Sequence, residues 1–362
     1  MAAAFDIAVF GGDGIGPEIT APTVALLSKL AETSAEYDLT FTNHDAGATH
    51  YAKTGESLPA ASLEAAGAAD AILLSAMGLP DVRYDDGTEI SPQIDLRKAF
   101  KLFAGVRPVR VAEGGETPLK MPAGKSIDFV LIRESTEGLF YTQGRGEVSQ
   151  DEARETLLIT RDISEKLFEF TFNLAKDRKA QGRGPGRVTC VDKANVFRAF
   201  AFFREMFDAE AAKHPELTAD HAYVDATALW MVQKPWDFDV LVTENMFGDI
   251  LSDLGAGLMG GLGLAPSADI GLDQAVFQPC HGSAPDIAGQ GKANPFAMIL
   301  SGAMMLDWLG LKHEVPAMCA DAARIREAVE DQVRARADVT ADLGGNATTS
   351  QAAEAVGKKL GC

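Results

Sequence analysis

Short apolar runs recur along this chain, and nearly all are followed by helical or polar sequence. Residues 5–10, 69–75, 129–133, 188–191, 222–226 and 238–242 each read as a buried strand. Short, predominantly apolar runs of this kind suit largely buried strands. The segments between them carry helix signals. Pro17 opens a helix rich in Ala and Leu, residues 96–103 read as a second closed by Gly105 and Pro108, and Asp162 with Glu165 makes a capping box for a third over 163–179. Alternation of strand and helix predicts an α/β architecture with a largely parallel sheet. An antiparallel excursion is expected near 139–160, where no helical period is evident, and 111–125 and 182–186 are linker-like.

Composition bounds what such a fold can serve. With 362 residues, 46% of them hydrophobic and 23% charged, the chain has material for two domains or one large one, with ample buried core. A formal net charge of −19 argues against a nucleic-acid partner or an anionic membrane surface. If the substrate is an anion, the site must gather its own arginines. Cys190, Cys280, Cys319 and Cys362 are widely spaced, form no C-x-x-C pair, and read as reduced thiols of a cytoplasmic protein. No signal-peptide pattern is visible at the N-terminus. The apolar stretch 298–309, interrupted by Gly302 and Asp307, is too short to span a bilayer.

The densest chemistry lies in Thr243-Glu244-Asn245-Met246-Phe247-Gly248-Asp249-Ile250-Leu251-Ser252-Asp253-Leu254. Asp249 and Asp253 stand four residues apart where a helix is expected, hence on one face. Like charges there repel unless a cation sits between them, and an all-oxygen donor set suits Mg²⁺ or Mn²⁺. A solvated acidic face is the plain alternative. This pair, however, opens a helix just past a buried strand end, where ligand sites of α/β proteins gather. Arg97, Arg107 and Arg133 each flank an apolar segment and have the chemistry of a carboxylate clamp, though each taken singly also reads as a surface ion pair.

Lys193, in Val191-Asp192-Lys193-Ala194-Asn195, ends a strand. Partial burial near a cation would lower its pKa toward that of a base, whereas most such lysines only meet solvent. The loop His281-Gly282-Ser283-Ala284-Pro285-Asp286-Ile287-Ala288-Gly289, with Asn294-Pro295 beyond, could wrap a nucleotide or simply be an ordered surface loop. An acidic residue in it can accept from a ribose 2′-hydroxyl and repel a 2′-phosphate. Gly12-Asp13-Gly14-Ile15-Gly16 is not G-x-G-x-x-G, and no acidic residue closes a dinucleotide fingerprint about 20 residues later, so no Rossmann domain is expected.

In this order and number the segments resemble the β-decarboxylating dehydrogenase family, which includes 3-isopropylmalate, isocitrate, homoisocitrate and tartrate/D-malate dehydrogenases. The resemblance runs from Gly12-Asp13-Gly14-Ile15-Gly16-Pro17 to Trp308. It includes Leu96-Arg97-Lys98, Val106-Arg107-Pro108, Arg133-Glu134-Ser135-Thr136-Glu137-Gly138, Asp192-Lys193-Ala194-Asn195, Phe247-Gly248-Asp249-Ile250-Leu251-Ser252-Asp253 and His281-Gly282-Ser283-Ala284-Pro285-Asp286. It implies an isopropylmalate-dehydrogenase-like α/β fold of two domains, distinct from Rossmann. The first domain would comprise 1–107 and 262–362 with the NAD-binding loops. The second would comprise 108–261, with the substrate and metal residues and a dimer-forming arm near 139–160.

The resemblance further implies a homodimer with shared active sites and no nucleic-acid or membrane partner. Asp249 and Asp253 would bind Mg²⁺ or Mn²⁺ together with Asp225 contributed across the dimer. Arg97, Arg107 and Arg133 would hold the carboxylates of a small hydroxy acid. Lys193, also from the second protomer, would take part in proton transfer, with Asn195 near the nicotinamide. His281, Gly282, Ser283, Ala284, Asp286, Ile287 and Asn294 would hold the adenosine. Asp286-Ile287 looks like the NAD version, because the NADP enzymes usually carry a Lys-Tyr pair there. The implied reaction is oxidation of a 3-substituted malate, with loss of CO₂ to an enolate.

Three departures bear on chemistry. The family's enol-protonating tyrosine falls at Phe140, which has no proton to give; Tyr141 follows it, so either Tyr141, Lys193 or water is the donor, or the reaction is an oxidation without decarboxylation that needs no enol protonation. Ser91 and Gln93, in the segment that selects the C3 substituent, favour a polar group, because an apolar one would leave them unpaired at roughly 1–3 kcal/mol, while Ile90 and Ile94 point the other way. Gln278 and Gly11 stand where Glu and Pro are usual. A 3-isopropylmalate-type activity is the expectation, with isocitrate-, tartrate- or D-malate-type activity, or a catalytically weak regulatory subunit, as alternatives.

Overall fold

The chain alternates strand and helix nearly throughout, as the apolar runs predict. The computed structural model describes residues 2–115 and 117–362; Met1, in the expected first domain, and Glu116, in the linker-like stretch 111–125, lie outside them. In chain order the elements begin with β1 (Ala3–Phe10), α1 (Gly16–Thr33), β2 (Tyr37–Asn43), α2 (Ala48–Thr54), α3 (Ala60–Ala68), β3 (Ala71–Leu74) and α4 (Pro92–Ala99). They continue with β4 (Ala104–Val111), β5 (Ile127–Glu134), β6 (Glu147–Val148), β7 (Ala153–Arg154), α5 (Arg161–Ala180), β8 (Arg187–Asp192), α6 (Arg198–Ala211) and β9 (Thr218–Tyr223). Then follow α7 (Val224–Gln233), β10 (Val240–Thr243), α8 (Asn245–Leu258), β11 (Pro266–Ile270), β12 (Ala275–Pro279), α9 (Phe296–Lys312), α10 (Pro316–Ala335) and α11 (Thr349–Leu360).

Two compact units share these elements. One comprises Met1–Phe100, Gly260–Ala268 and Leu272–Cys362; the other comprises Lys101–Met259 and Asp269–Gly271. In the first unit the strands lie in the order β2-β1-β3-β12-β11, with β1 parallel to β2 and β3, and β12 parallel to β3. In the second the order is β4-β5-β10-β8-β9, parallel except for β4 against β5. The expected antiparallel excursion is the β6–β7 ribbon. Among the described residues no helix is long and apolar enough to cross a membrane, and the four cysteines are unbridged.

Several boundaries differ from the sequence reading, each for a local reason. The helix expected over 96–103 starts at Pro92, a residue suited to the first turn, and ends at Ala99; Gly105 and Pro108 belong to β4. The helix assigned to an Asp162 cap is instead capped by Thr160, whose hydroxyl accepts from Ile163 N. Glu137, twenty-three residues away in sequence, holds Thr160 by its N–H and hydroxyl, so a distant contact picked the cap. The strand expected over 222–226 ends at Tyr223, and Asp225 therefore sits in the first turn of α7. Short β-branched and aromatic runs do not separate the two outcomes.

Candidate active site

The β4–β5 ladder sets Gly105 opposite Arg133, and Arg107 opposite Leu131. Facing residues share a side of the sheet, as do residues two apart, so Arg107 and Arg133 are diagonal neighbours on one face. Helix α8 packs on that face. A Cβ on Gly248 would stand 2.5 Å from Arg133 Cγ, so glycine is needed for the helix to come this close. Glu244 caps α8 by accepting from Phe247 N at 2.7 Å, and burial raises its carboxyl above the usual range.

Both arginines are already engaged. Arg107 is buried, and its Nη2 donates to Asp269 at 3.0 Å; Ser135 Oγ donates to the same carboxylate oxygen. Arg133 Nε and Nη2 donate to Asn245 Oδ1 at 3.0 and 2.6 Å, and Nη1 pairs with Asp249. The Phe140 ring covers the guanidinium, its centroid 5.1 Å from Cζ. Tyr141, the next residue, lies instead beneath the Arg145 guanidinium at 4.5 Å. Both belong to the short 3-10 turn Leu139–Thr142.

Asp249 and Asp253 do fall on one helix face. Burial, and then repulsion by Asp249, raises the Asp253 carboxyl above its ordinary value, against the pull of Arg133 and Arg107. A divalent cation would relieve that repulsion, and the all-carboxylate donors match Mg²⁺ or Mn²⁺, so the residues fit such an ion. Among the described residues of the single chain, no three metal-ligating side chains converge. Asp225 is elsewhere in the same unit. Lys193 Nζ donates to its Oδ1 at 2.5 Å and holds that carboxyl below the usual range. Asn195 is exposed on the turn after Lys193.

The first unit holds the remaining candidates. Arg97 is buried on α4, Ser91 donates to Glu89 O at 3.2 Å, and Gln93 Oε1 is a buried acceptor without a partner. The 281–294 loop seats on the glycine turn between β1 and α1. Ile15 N donates to Ser283 O, and a Cβ on Gly14, at φ +58°, would stand 2.0 Å from that oxygen. Ser283 Oγ donates to Gly78 O at 2.5 Å. Asn294 Nδ2 donates to Asp342 at 2.9 Å, and its Oδ1 accepts from Phe296 N. Gly282 and Asp286 are exposed, and Ala284 and Ile287 are half-buried. His281 Nδ1 lies 3.0 Å from Gly282 O, and burial lowers its pKa and keeps the ring neutral. With Nδ1 carrying the proton, Nε2 is a buried acceptor with no partner, a place for a donor group of a nucleotide.

Three further residues escaped sequence reasoning. Asp13, read only as part of a glycine turn, is buried and accepts from the N–H groups of Ala48, Thr49 and Gly78 at 2.7–2.8 Å, capping α2. A short polar residue before a helix is a usable cap signal, but this one reaches its helix across thirty-five positions. Asp269 lies 162 positions from the arginine it serves, with no local pattern to reveal it. Asn245 lies inside the 243–254 motif, but an uncharged amide carries no sequence signal of the arginine it holds.

The chain is similar throughout to known dehydrogenases. A family model described as isocitrate/isopropylmalate dehydrogenase matches residues 6–356. A 3-isopropylmalate/3-methylmalate dehydrogenase of Methanocaldococcus jannaschii is 39% identical, with 98% of each chain covered. A homoisocitrate dehydrogenase of the same organism is 40% identical over 97% of this chain and 96% of that one. The crystal structure of isocitrate dehydrogenase from Methylococcus capsulatus superposes with a TM-score of 0.83 at 36% identity, covering 98% of this chain and 99% of the other. On the strength of the paired aspartates, the buried arginines and these matches across nearly its whole length, the chain belongs to the isocitrate/isopropylmalate dehydrogenase family.

Proposed function

We propose that the protein is an NAD- and Mg²⁺/Mn²⁺-dependent dehydrogenase that oxidises, with decarboxylation, a 3-substituted malate of the 3-isopropylmalate type. The observation that carries this reading is the second-unit cluster in which Arg107 and Arg133 share a sheet face and α8 sets Asp249 beside Arg133. In this reading Arg97, Arg107 and Arg133 bind and orient the carboxylates, and the buried guanidiniums offset the overall charge of −19 at the one place where an anion must dock.

A divalent cation held by Asp249, Asp253 and the Asp225 of a second protomer supplies Lewis-acid stabilisation of negative charge on oxygen. Lys193 of that second protomer would take part in the proton transfers, and Asn195 would contribute to the nicotinamide end of the cofactor site. Supporting the shared site, Asp225 is paired with Lys193, away from the other two aspartates. Val196, Phe197, Leu229, Val232 and Ile250 also leave the second unit with exposed apolar side chains. The first-unit loop, with His281, Gly282, Ser283, Ala284, Asp286, Ile287 and Asn294, would hold NAD, which would supply the hydride acceptor, and Asp286 would disfavour a 2′-phosphate.

For the enol proton, Tyr141 is the hydroxyl nearest in sequence to the ring over Arg133. Gln93 favours a second reading of the substrate. Its unpartnered acceptor suits a C3 substituent bearing a donor, such as the hydroxyl of tartrate, better than an isopropyl group, with Ser91 alongside it. Tartrate-type oxidation is therefore the alternative that Gln93 favours; D-malate- and isocitrate-type oxidation and a catalytically weak regulatory chain are the others. Steady-state formation of NADH and of CO₂ against a panel of 3-substituted malates, isocitrate, tartrate and D-malate, with Mn²⁺, tests them. The proposal expects isopropylmalate to give both products in equal amounts. NADH without CO₂ moves the assignment to simple oxidation, and no turnover with any member overturns it.

A further inference from the structure

Arg133 is held at two places by one helix, and the two holds differ in kind. Asn245 and Asp249 are four residues apart on α8, so they reach the guanidinium from the same face. Asn245 is fully buried and uncharged. Its Oδ1 accepts from both Nε and Nη2 of Arg133, while its Nδ2 donates to Glu137 O at 3.1 Å and lies 3.4 Å from Glu134 Oε2. The amide has only one satisfactory orientation, because a flip would set its N–H groups against the arginine's own.

Its partners are themselves fixed. The Glu134 carboxylate accepts from the N–H and hydroxyl of Thr136 and from Glu137 N, and Glu137 accepts twice from Thr160. Gly138 lets the backbone close over the amide, since a Cβ there would stand 2.9 Å from Asn245 Cβ. Asp249, by contrast, has a side chain 49% exposed and is paired with Nη1.

We infer that Asn245 is the positioning residue that aims Arg133 at the substrate carboxylate, with Asp249 as an exchangeable second hold. A cation drawn to Asp249 and Asp253 competes with Nη1 for the same carboxylate. A neutral, buried amide does not enter that competition. The guanidinium therefore keeps its place when Asp249 turns away, and its Nη1 edge passes to the substrate. An amide also holds the arginine without neutralising it, whereas a carboxylate at position 245 would spend the positive charge that an anionic substrate needs. The part of this that concerns the substrate rests on the proposed dehydrogenase function; the grip of Asn245 on Arg133 does not.

The test uses the full-length protein labelled with ¹⁵N-arginine, its Arg133 Nε–H resonance assigned by its loss in Arg133→Lys. In the wild type this proton exchanges slowly with water, and it stays protected when Mg²⁺ is added. In Asn245→Leu, close in size and without either hydrogen-bonding group, it exchanges at least about tenfold faster, and faster still with Mg²⁺. The KM for the hydroxy acid rises at least about tenfold in that variant, while the KM for NAD holds. Asn245→Asp keeps the acceptor and so restores slow exchange, yet its hydroxy-acid KM stays high because the guanidinium is neutralised. Equal exchange in wild type and Asn245→Leu overturns the inference, as does a wild-type KM in Asn245→Asp. If Asn245→Leu does not fold, Asn245→Ala takes its place in the exchange comparison, and Asn245→Asp is read by its hydroxy-acid KM. If the wild type turns over no hydroxy acid, the function proposal falls, and the exchange comparison still decides the role of Asn245.

Discussion

Asp249 and Asp253 repel one another across one helical turn, and that repulsion adds to burial in raising the Asp253 carboxyl, against the pull of Arg133 and Arg107. Asp249→Asn removes the repulsion and, under the proposed metal site, a ligand. It is expected to weaken Mn²⁺ binding, read by electron paramagnetic resonance titration, by at least about 100-fold, the upper end of what a lost outer-shell partner costs. Far-UV circular dichroism should be unchanged, since Asp249 is half-exposed.

Glu134 makes a separate prediction. Burial pushes its carboxyl from 4.5 up to about 7, and the nearby Glu137 charge adds to the rise, against hydrogen bonds from Thr136 and Glu137. Between those two values the folded protein keeps a proton that the unfolded chain releases. Stability therefore falls as pH rises through the window and levels off above it, a loss of roughly 3 kcal/mol at about 1.4 kcal/mol per unit. Urea unfolding at pH 5 and pH 7.5 should show this decline in the wild type and a smaller one in Glu134→Gln. At this scale the sequence displayed the charged residues of the motifs and concealed the partners that hold them. Asp249, Asp253, Arg107 and Arg133 announce themselves by charge and spacing, whereas Asn245 and Asp269 matter only for what they touch after folding.

Among the elements, α5 shows how distant residues fix a local structure. Arg178, buried near its C-terminal end, donates to Asp239 at 2.9 Å and to Asp128 at 3.0 Å, and Asp239 also accepts from the N–H groups of Gly186 and Arg187. One guanidinium thereby joins α5 to the residues that begin β8 and β10. Arg178→Met should cost about 3–5 kcal/mol, because Asp239 is left as a buried charge without its partner. Chemical denaturation measures it, and a loss below about 1 kcal/mol would mean that water or Arg183 replaces the pair.

The existence of most elements was legible from the apolar runs, since a strand buried on both faces writes itself as four to eight apolar residues. Their ends were less so. Thr160 displaced Asp162 as the cap because Glu137 holds it, and α7 began at Val224 where β-branched and aromatic residues had suggested continued strand. The turn from Gly12 to Gly16 was rightly separated from a dinucleotide fingerprint, but the job of Asp13 within it could not be read, because the N–H groups it caps come from elsewhere in the chain.

For the whole molecule, the exposed apolar side chains of the second unit carry the expectation of a symmetric dimer. Ile250 is 62% exposed on α8 and Leu229 is 54% exposed on α7, positions that cost solubility unless another surface covers them. Ile250→Glu with Leu229→Glu should halve the mass seen by light scattering and abolish NADH formation, while each protomer stays folded.

The salt bridge between Lys193 and Asp225 then acquires a meaning for a protomer on its own. Each of these groups would be spoken for by the other, so a lone subunit should sit with its base and its third carboxylate latched together. Specific activity should accordingly collapse on dilution below the dimer dissociation constant and return on concentration, which would make assembly itself the step that arms the enzyme.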